Sequence, residues 1–234
     1  MHRLLIICLL AGLTGLGATA CTGDDVESGA GPEQVADRLQ AAKRLLDQAG
    51  SIRLTLRTDR LPEGVNGITK AAGVATHAPA FRGTITVAAP GLFDGQSVDV
   101  VAVDGVVYAQ TPFSSSFIRV DPADFNAPDP ATLMQSDRGL STLLTEATDL
   151  AEADQRRDGK DIVSTYTGSV PGTAVAGIFP SASGDRPFDV TFTVDQDARL
   201  RGAQVTGPFY RGRPAVTYHV GFFPSAQSVE ITAP

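Results

Sequence analysis

The sequence predicts an α+β domain, one long antiparallel sheet with a few helices covering its apolar face. Three observations lead there. Apolar and polar residues alternate with period two in several separate runs, as they do in strands with one buried and one solvated face. Two Asp-Gly pairs, Asp104-Gly105 and Asp158-Gly159, stand between such runs and offer the positive φ angles that tight hairpin turns require. A few stretches of helical period lie between the strand-like runs, and those helices must cover the sheet.

The chain opens with Arg3, an apolar run from Leu4 to Leu16 and the small-residue tract Gly17-Ala18-Thr19-Ala20 ahead of Cys21. Residues 1–20 therefore read as a cleavable secretory signal. The apolar run is shorter than the about 20 residues of a permanent span. A cysteine directly after the small residues marks a lipoprotein signal, because its thiol accepts a diacylglyceryl group before the peptidase cuts. Cys21 is then the lipid attachment site and first residue of the mature chain, with Ala18 standing where Leu is usual. The other reading, an ordinary secreted protein, leaves a lone exposed thiol in an oxidising compartment. The chain has only Cys8 and Cys21, and Cys8 departs with the signal, so no internal disulfide forms. Two or three acyl chains anchor a protein stably where one binds marginally. The expected location is the outer face of the cell membrane.

Residues 21–31, rich in Gly, Ser and Asp, read as a flexible acylated stalk, and 32–234 as one domain. From Pro32, Val35, Leu39, Ala42 and Leu46 recur at helical spacing and Gly50 is a plausible stop. Ile52, Leu54 and Leu56 then alternate with Arg53, Thr55 and Arg57 as a strand. Ile85 and Val87 alternate with Thr84 and Thr86; Val190, Phe192 and Val194 with Asp189, Thr191 and Thr193. Val216, Tyr218, Val220 and Phe222 continue the pattern near the end. Val98 to Val103 is apolar on both parities, the expectation for a strand covered on both faces. Asp129-Pro130 reads as a helix cap and first-turn proline, with Leu140, Leu143, Leu144 and Ala147 as the stripe of the helix that follows. A short helix after Pro171 uses Val175 and Ile178.

The formal charge of −7 gives no electrostatic footprint for nucleic acid. It also leaves tethering at an anionic membrane to the covalent lipid. No Gly-x-Ser-x-Gly elbow, phosphate-cradling glycine loop or paired-histidine metal motif occurs in the sequence. His219 falls on the polar parity of its strand and His77 in an Ala/Pro-rich loop, so both read as structural residues. The acidic groups Asp24-Asp25 and Glu152 to Asp154 read as stalk and solubilising surface.

The order of elements resembles the LppX/LprG family of mycobacterial lipoproteins over roughly Pro32 to Pro234. The matching segments are Asp99-Val100-Val101 through Val107-Tyr108-Ala109, then Asp121-Pro122 to Asp137-Arg138-Gly139-Leu140 with Leu143-Leu144. The Asp158-Gly159 hairpin and the ending Val229-Glu230-Ile231-Thr232-Ala233-Pro234 complete them. Family members often carry a Trp after the Val107-Tyr108-Ala109 strand, where this chain has Phe113 and Phe117. The resemblance implies a strongly curved antiparallel sheet, a half-barrel, with helices on its concave face enclosing an apolar cavity. It further implies binding of an acylated lipid or glycolipid there, transfer across the cell envelope, and, in one branch, an exporter of the major facilitator type as partner. Such a carrier needs no cofactor and no catalytic residue. The expected lipid-binding positions are Ile52, Leu54, Ile85, Val87 and Phe192 on strands, facing Leu140, Leu143 and Leu144 on the helix.

The strand pattern alone serves equally a second function, a lipid-anchored interaction or sensor-associated protein whose core is filled. A lipid hydrolase or acyltransferase comes third, since no nucleophile with base and orienting group can be assembled from these residues.

Overall fold

A computed structural model of the chain describes residues 30–89, 95–111 and 113–234. The signal, nearly all of the stalk and Cys21 lie outside the described residues.

Helix α1 (Pro32–Asp47) begins with proline in its first turn, where a missing N–H costs nothing, and with Glu33 near the positive end of its dipole. Its stripe of Val35, Leu39, Ala42 and Leu46 is no more than 2% exposed. The chain then enters β1 (Ser51–Thr58), β2 (Gly67–Thr76), β3 (Ala80–Ala88), β4 (Ser97–Val103), β5 (Val106–Gln110) and β6 (Ile118–Val120), each antiparallel to the one before. A crossing segment with the single-turn helix α2 (Leu143–Glu146) leads to β7 (Thr148–Asp158) and β8 (Asp161–Val170). Helix α3 (Gly172–Ile178), with Val175 and Ile178 buried as expected, precedes β9 (Phe188–Asp195), β10 (Leu200–Gly207) and β11 (Val216–Ser225).

All eleven strands form one sheet in the order β6-β5-β4-β3-β2-β1-β11-β10-β9-β8-β7. The first six strands step outward from β1, the last five step back inward from β7, and β11 joins the two wings. Its pairing with β1 runs from Ser51↔Ser225 to Thr58↔Tyr218. The sheet does not close, since β6 and β7 are its two edges.

Local chemistry explains the turns. Asp104 and Gly105 carry φ of 54° and 72° and close the β4–β5 hairpin as expected. In the next hairpin Asp158 remains paired, with Asp161, so the turn is Gly159-Lys160, with Gly159 at φ 61°. The turn thus sits one residue later than the Asp-Gly pair implied.

The helix expected after Asp129-Pro130 is not continuous. It is replaced by a 3-10 turn at Pro130–Met134, a second at Leu140–Thr142, and α2. Asp129 does cap, accepting from the Ala131 amide at 2.9 Å. The break falls at Gly139, where the chain doubles back so tightly that a Cβ would lie 2.4 Å from the Leu133 carbonyl oxygen. Leu140, Leu143 and Leu144 are buried nonetheless.

One face of the sheet carries the main core. The buried residues of α1, α2 and α3 share it with Ile52, Leu54, Val190, Phe192, Tyr218 and Phe222. On the opposite face Val101 packs with Ala80 and Ile231, so the C-terminal segment gives β4 its second cover.

Candidate functional site

An apolar pocket lies on the core face beneath β1 to β6 and β11. It encloses about 350 Å³. Its position follows from where large and small side chains fall. Helix α1 leans on β7 and β10 and on α2, toward the other wing. Over β2 to β4 the cover is the Pro130–Met134 turn instead, which is thinner than a helix. Below it, the inward positions of β2 are Ala71, Gly73 and Ala75, in register with Leu56, Leu54 and Ile52. The residue facing Gly73 across the β2–β3 pairing is Gly83. Gly73 and Gly83 make room for the Phe81 ring, which stands 2.5 and 2.8 Å from where their Cβ atoms would lie, and the hollow opens beside that ring under the thin roof.

The wall is aliphatic. Leu54 and Leu56 of β1, Ile68 of β2, Ile85 and Val87 of β3, Val98 and Val100 of β4, and Val107 and Ala109 of β5 make the floor. Phe125, Pro130, Leu133 and Leu140 form the roof. Leu56, Ile68, Ile85 and Leu133 are only partly buried although they face inward, because the hollow stands where a neighbour would.

Aromatic rings close one end. Phe209 meets Tyr218, Phe188 and Phe179 edge-on, with centroids 4.8, 5.0 and 5.5 Å away. The Tyr210 and Tyr218 hydroxyl oxygens are 2.8 Å apart, and Tyr218 donates to the Ile68 carbonyl at 3.1 Å. A carbonyl only accepts and each phenol has one proton, so Tyr210 must donate to Tyr218. Burial pushes the Tyr218 phenol far above its ordinary range, aided by the neighbouring Tyr210; burial raises Tyr210 too, against its bond to Tyr218. Both stay neutral in ordinary buffers.

The roof is fastened to α1 at two places. His77 sets Nδ1 2.6 Å from the Met134 carbonyl oxygen and Nε2 3.1 Å from that of Leu46. Lys43 donates to the Ser136 carbonyl at 2.7 Å while pairing with Asp47, which also accepts from the buried Ser141 hydroxyl at 2.7 Å. His219 lies half-exposed on the outward parity of β11, opposite Arg57 and Gln204.

Of the residues expected to touch lipid, Leu54, Ile85, Val87 and Leu140 line the pocket. Ile52, Leu143, Leu144 and Phe192 do not. They sit in the filled core beside it, Ile52 and Phe192 being 0% and 2% exposed. Helix-period and strand-period patterns report which way a side chain points, and that is inward for both groups. Phe125, Leu133, Phe209 and Tyr210 escaped the sequence reading because they sit in turns.

Among the described residues no group of His, Cys, Asp and Glu is arranged to hold a metal ion, and no helix is long and apolar enough to cross a membrane.

These features define the class, an open antiparallel sheet with helices on one face and an apolar hollow under one wing. Residues 32–220 match the LppX_LprAFG lipoprotein family, and the chain belongs to that family. It superposes on LprF from Mycobacterium bovis with a TM-score of 0.70 at 14% identity, over 88% of this chain and 99% of that one. For the lipoprotein LppX from Mycobacterium tuberculosis the values are 0.63 and 16%, over 86% and 100%. These likenesses are of fold. No curated protein sequence matches the chain.

Proposed function

We propose that this protein is an envelope lipid carrier. Residues 1–20 direct export, acylated Cys21 anchors the chain on the outer face of the cell membrane, 21–31 form the stalk, and the domain from residue 32 to 234 takes up an acylated lipid or glycolipid. In this proposal the sheet curls around its helices as a half-barrel, and the ligand occupies the pocket on the concave side. An exporter of the major facilitator type is the protein partner proposed.

The observation that carries it is the aliphatic pocket under β1 to β6, in a chain of a lipoprotein family. Moving an acyl chain from bilayer to such a pocket exchanges one hydrocarbon environment for another, so the net free energy is small and loading is reversible. Exposing the chain to water costs about 0.8 kcal/mol per CH₂, on the order of 12 kcal/mol for a 16-carbon chain. A covered pocket removes most of that barrier to aqueous transit. It requires no bond to be made or broken.

The test is to purify the full chain from a lipid-rich host, extract it with organic solvent and identify what is released by mass spectrometry. A stoichiometric acylated lipid beyond the one attached at Cys21 is expected. A lipid-free protein would leave the filled-core interaction protein as the better account.

A further inference from the structure

We infer that the sheet face opposite the main core, where it crosses β3, β2 and β1, docks on an anionic lipid surface. This rests on the lipid anchor proposed above and adds to it a second, electrostatic contact that sets how the domain lies on the membrane.

The chain's formal charge of −7 is unevenly spread. The four neighbouring strands β3, β2, β1 and β11 contain no Asp or Glu, yet carry Arg53, Arg57, Lys70 and Arg82, all exposed. Register puts the four cations on one face, in two rows that run across the strands. Arg57 stands between His219 and Lys70, and Arg53 between Phe223 and Val74, with Arg82 next beyond Val74. The row between them is Gly221, Thr55, Ala72 and Thr84. At ordinary strand spacings the cations fall within a patch of roughly 14 by 10 Å.

This cluster opposes folding. Like charges directly opposite each other on paired strands, as Arg57 and Lys70 are, destabilise a sheet. Among the described residues Arg57 pairs with Asp59 at 3.2 Å, both exposed, whereas Arg53, Lys70 and Arg82 form no ion pair. Asp99 on β4, beside Thr84 in register, accepts from the Thr84 hydroxyl at 3.0 Å. A charge arrangement that disfavours the fold and finds no partner within it points outside the chain.

The partner must be anionic, and three features favour a lipid surface. The residues between the rows are small, so the long cationic side chains project past them and can reach one plane together. Phe223 is 44% exposed with the Arg53 guanidinium 5.7 Å from its ring centre, and cations beside exposed aromatics characterise surfaces seated at a membrane interface. The tether is also short. Cys21 and Ala30 are nine residues apart, which spans at most about 30 Å, and the Ala30 amide is fixed to Glu152 at 2.8 Å. A domain held that close needs only a weak attraction to settle on the bilayer. In this pose the pocket's roof, on the other face of the sheet, is turned away from the membrane.

The experiment adds the acylated full chain from detergent to preformed vesicles of phosphatidylcholine, alone or mixed with phosphatidylglycerol. Each preparation carries one reporter cysteine, Thr84→Cys between the two rows or, as control, Gln196→Cys at the β9–β10 turn, and labelling by a water-soluble maleimide is timed. Thr84→Cys should label about fivefold or more slowly on the anionic vesicles, the factor that one cation's attraction commands. Raised salt should restore the rate, because it screens that attraction. Arg53→Gln with Arg82→Gln should abolish the slowing at an unchanged melting temperature, and Gln196→Cys should label alike on both vesicles. Equal rates for Thr84→Cys on the two vesicles, or slowing that survives both salt and the double variant, overturn the inference and leave the anchor standing. Slowing by soluble polyglutamate and not by phosphatidylglycerol would assign the face to an acidic protein instead. A chain that does not float with neutral vesicles lacks the anchor. Flotation with phosphatidylglycerol vesicles alone would then still uphold the docking face, and flotation with neither would overturn it.

Discussion

At the residue scale the molecule separates two kinds of inward side chain that look alike in sequence. Leu144 and Val87 both face the core, but Leu144 is packed on all sides and Val87 borders the pocket. Leu144→Ala should cost about 2–5 kcal/mol of stability and leave lipid loading per folded molecule unchanged. Val87→Trp should reduce loading while the fold survives, where the same enlargement in a filled core costs about 1–3 kcal/mol. Denaturant melts and lipid extraction on the same preparations check both, and the pocket assignment fails if Val87→Trp loads normally. The tyrosine pair makes a second prediction. Unfolded tyrosines ionise near pH 10, whereas in the folded protein both phenols are held above that. The unfolded state therefore loses protons first, and stability present below about pH 10 is lost as the pH rises further. Replacing both by Phe should move the alkaline unfolding midpoint upward, and an unmoved midpoint would count against the raised values. Burial of this kind is invisible in a sequence, because Tyr210 sits in a turn and Tyr218 in a strand, and only the fold brings their hydroxyls together.

At the element scale, the strands were legible and the roof was not. Alternation of small and large, polar and apolar side chains identifies β1, β3, β9 and β11 directly, because a strand's period of two survives any register. The segment from Pro130 to Glu146 has helical spacing too, but Gly139 brings backbone to within a distance that no side chain tolerates, and the helix divides there. Composition shows a glycine. Which backbone it must approach is a tertiary fact. The divided roof then needs external fastening, and His77 supplies part of it through Met134 and Leu46. His77→Ala removes the ring held between two carbonyls, and a carbonyl left buried without its donor costs roughly 1–3 kcal/mol. The expected outcome is faster hydrogen exchange over Pro130–Met134 with the strands of the sheet little affected. Uniform acceleration across the sheet would show that His77 supports the whole fold and not the roof.

At the scale of the whole molecule, the sheet is two meanders joined at one seam. Each wing is built from neighbours in sequence, while the β1–β11 pairing connects Thr58 to Tyr218 and Ser51 to Ser225. Hairpin turns could be read from Asp104-Gly105 and from Gly159, but nothing in the local pattern of either strand announces that the last one lies beside the first. Alternating runs supplied the expectation of one long antiparallel sheet, and left its strand order open. A chain ending after β10 at Gly207 should fail to fold cooperatively, because it removes the seam together with Tyr218 of the pocket's end wall. Circular dichroism and thermal melting check this, and a sharp, wild-type transition in the shortened chain would show that the wings are independent.

That seam also sets a timetable. If the protein is threaded through a membrane from its N-terminus, β1 arrives early and stands with one side open until residues 216–225 follow. At the about 5–20 residues per second of chain synthesis, the wait is on the order of ten seconds. Throughout it, the aliphatic floor that later forms the pocket is uncovered on one flank. Under the proposed carrier function, the first cargo and the last strand would compete for the same unfinished surface, and a lipid arriving during maturation would be enclosed as the seam zips shut. A newly made carrier would then leave the translocation site already loaded, and would have to unload before it could be filled again.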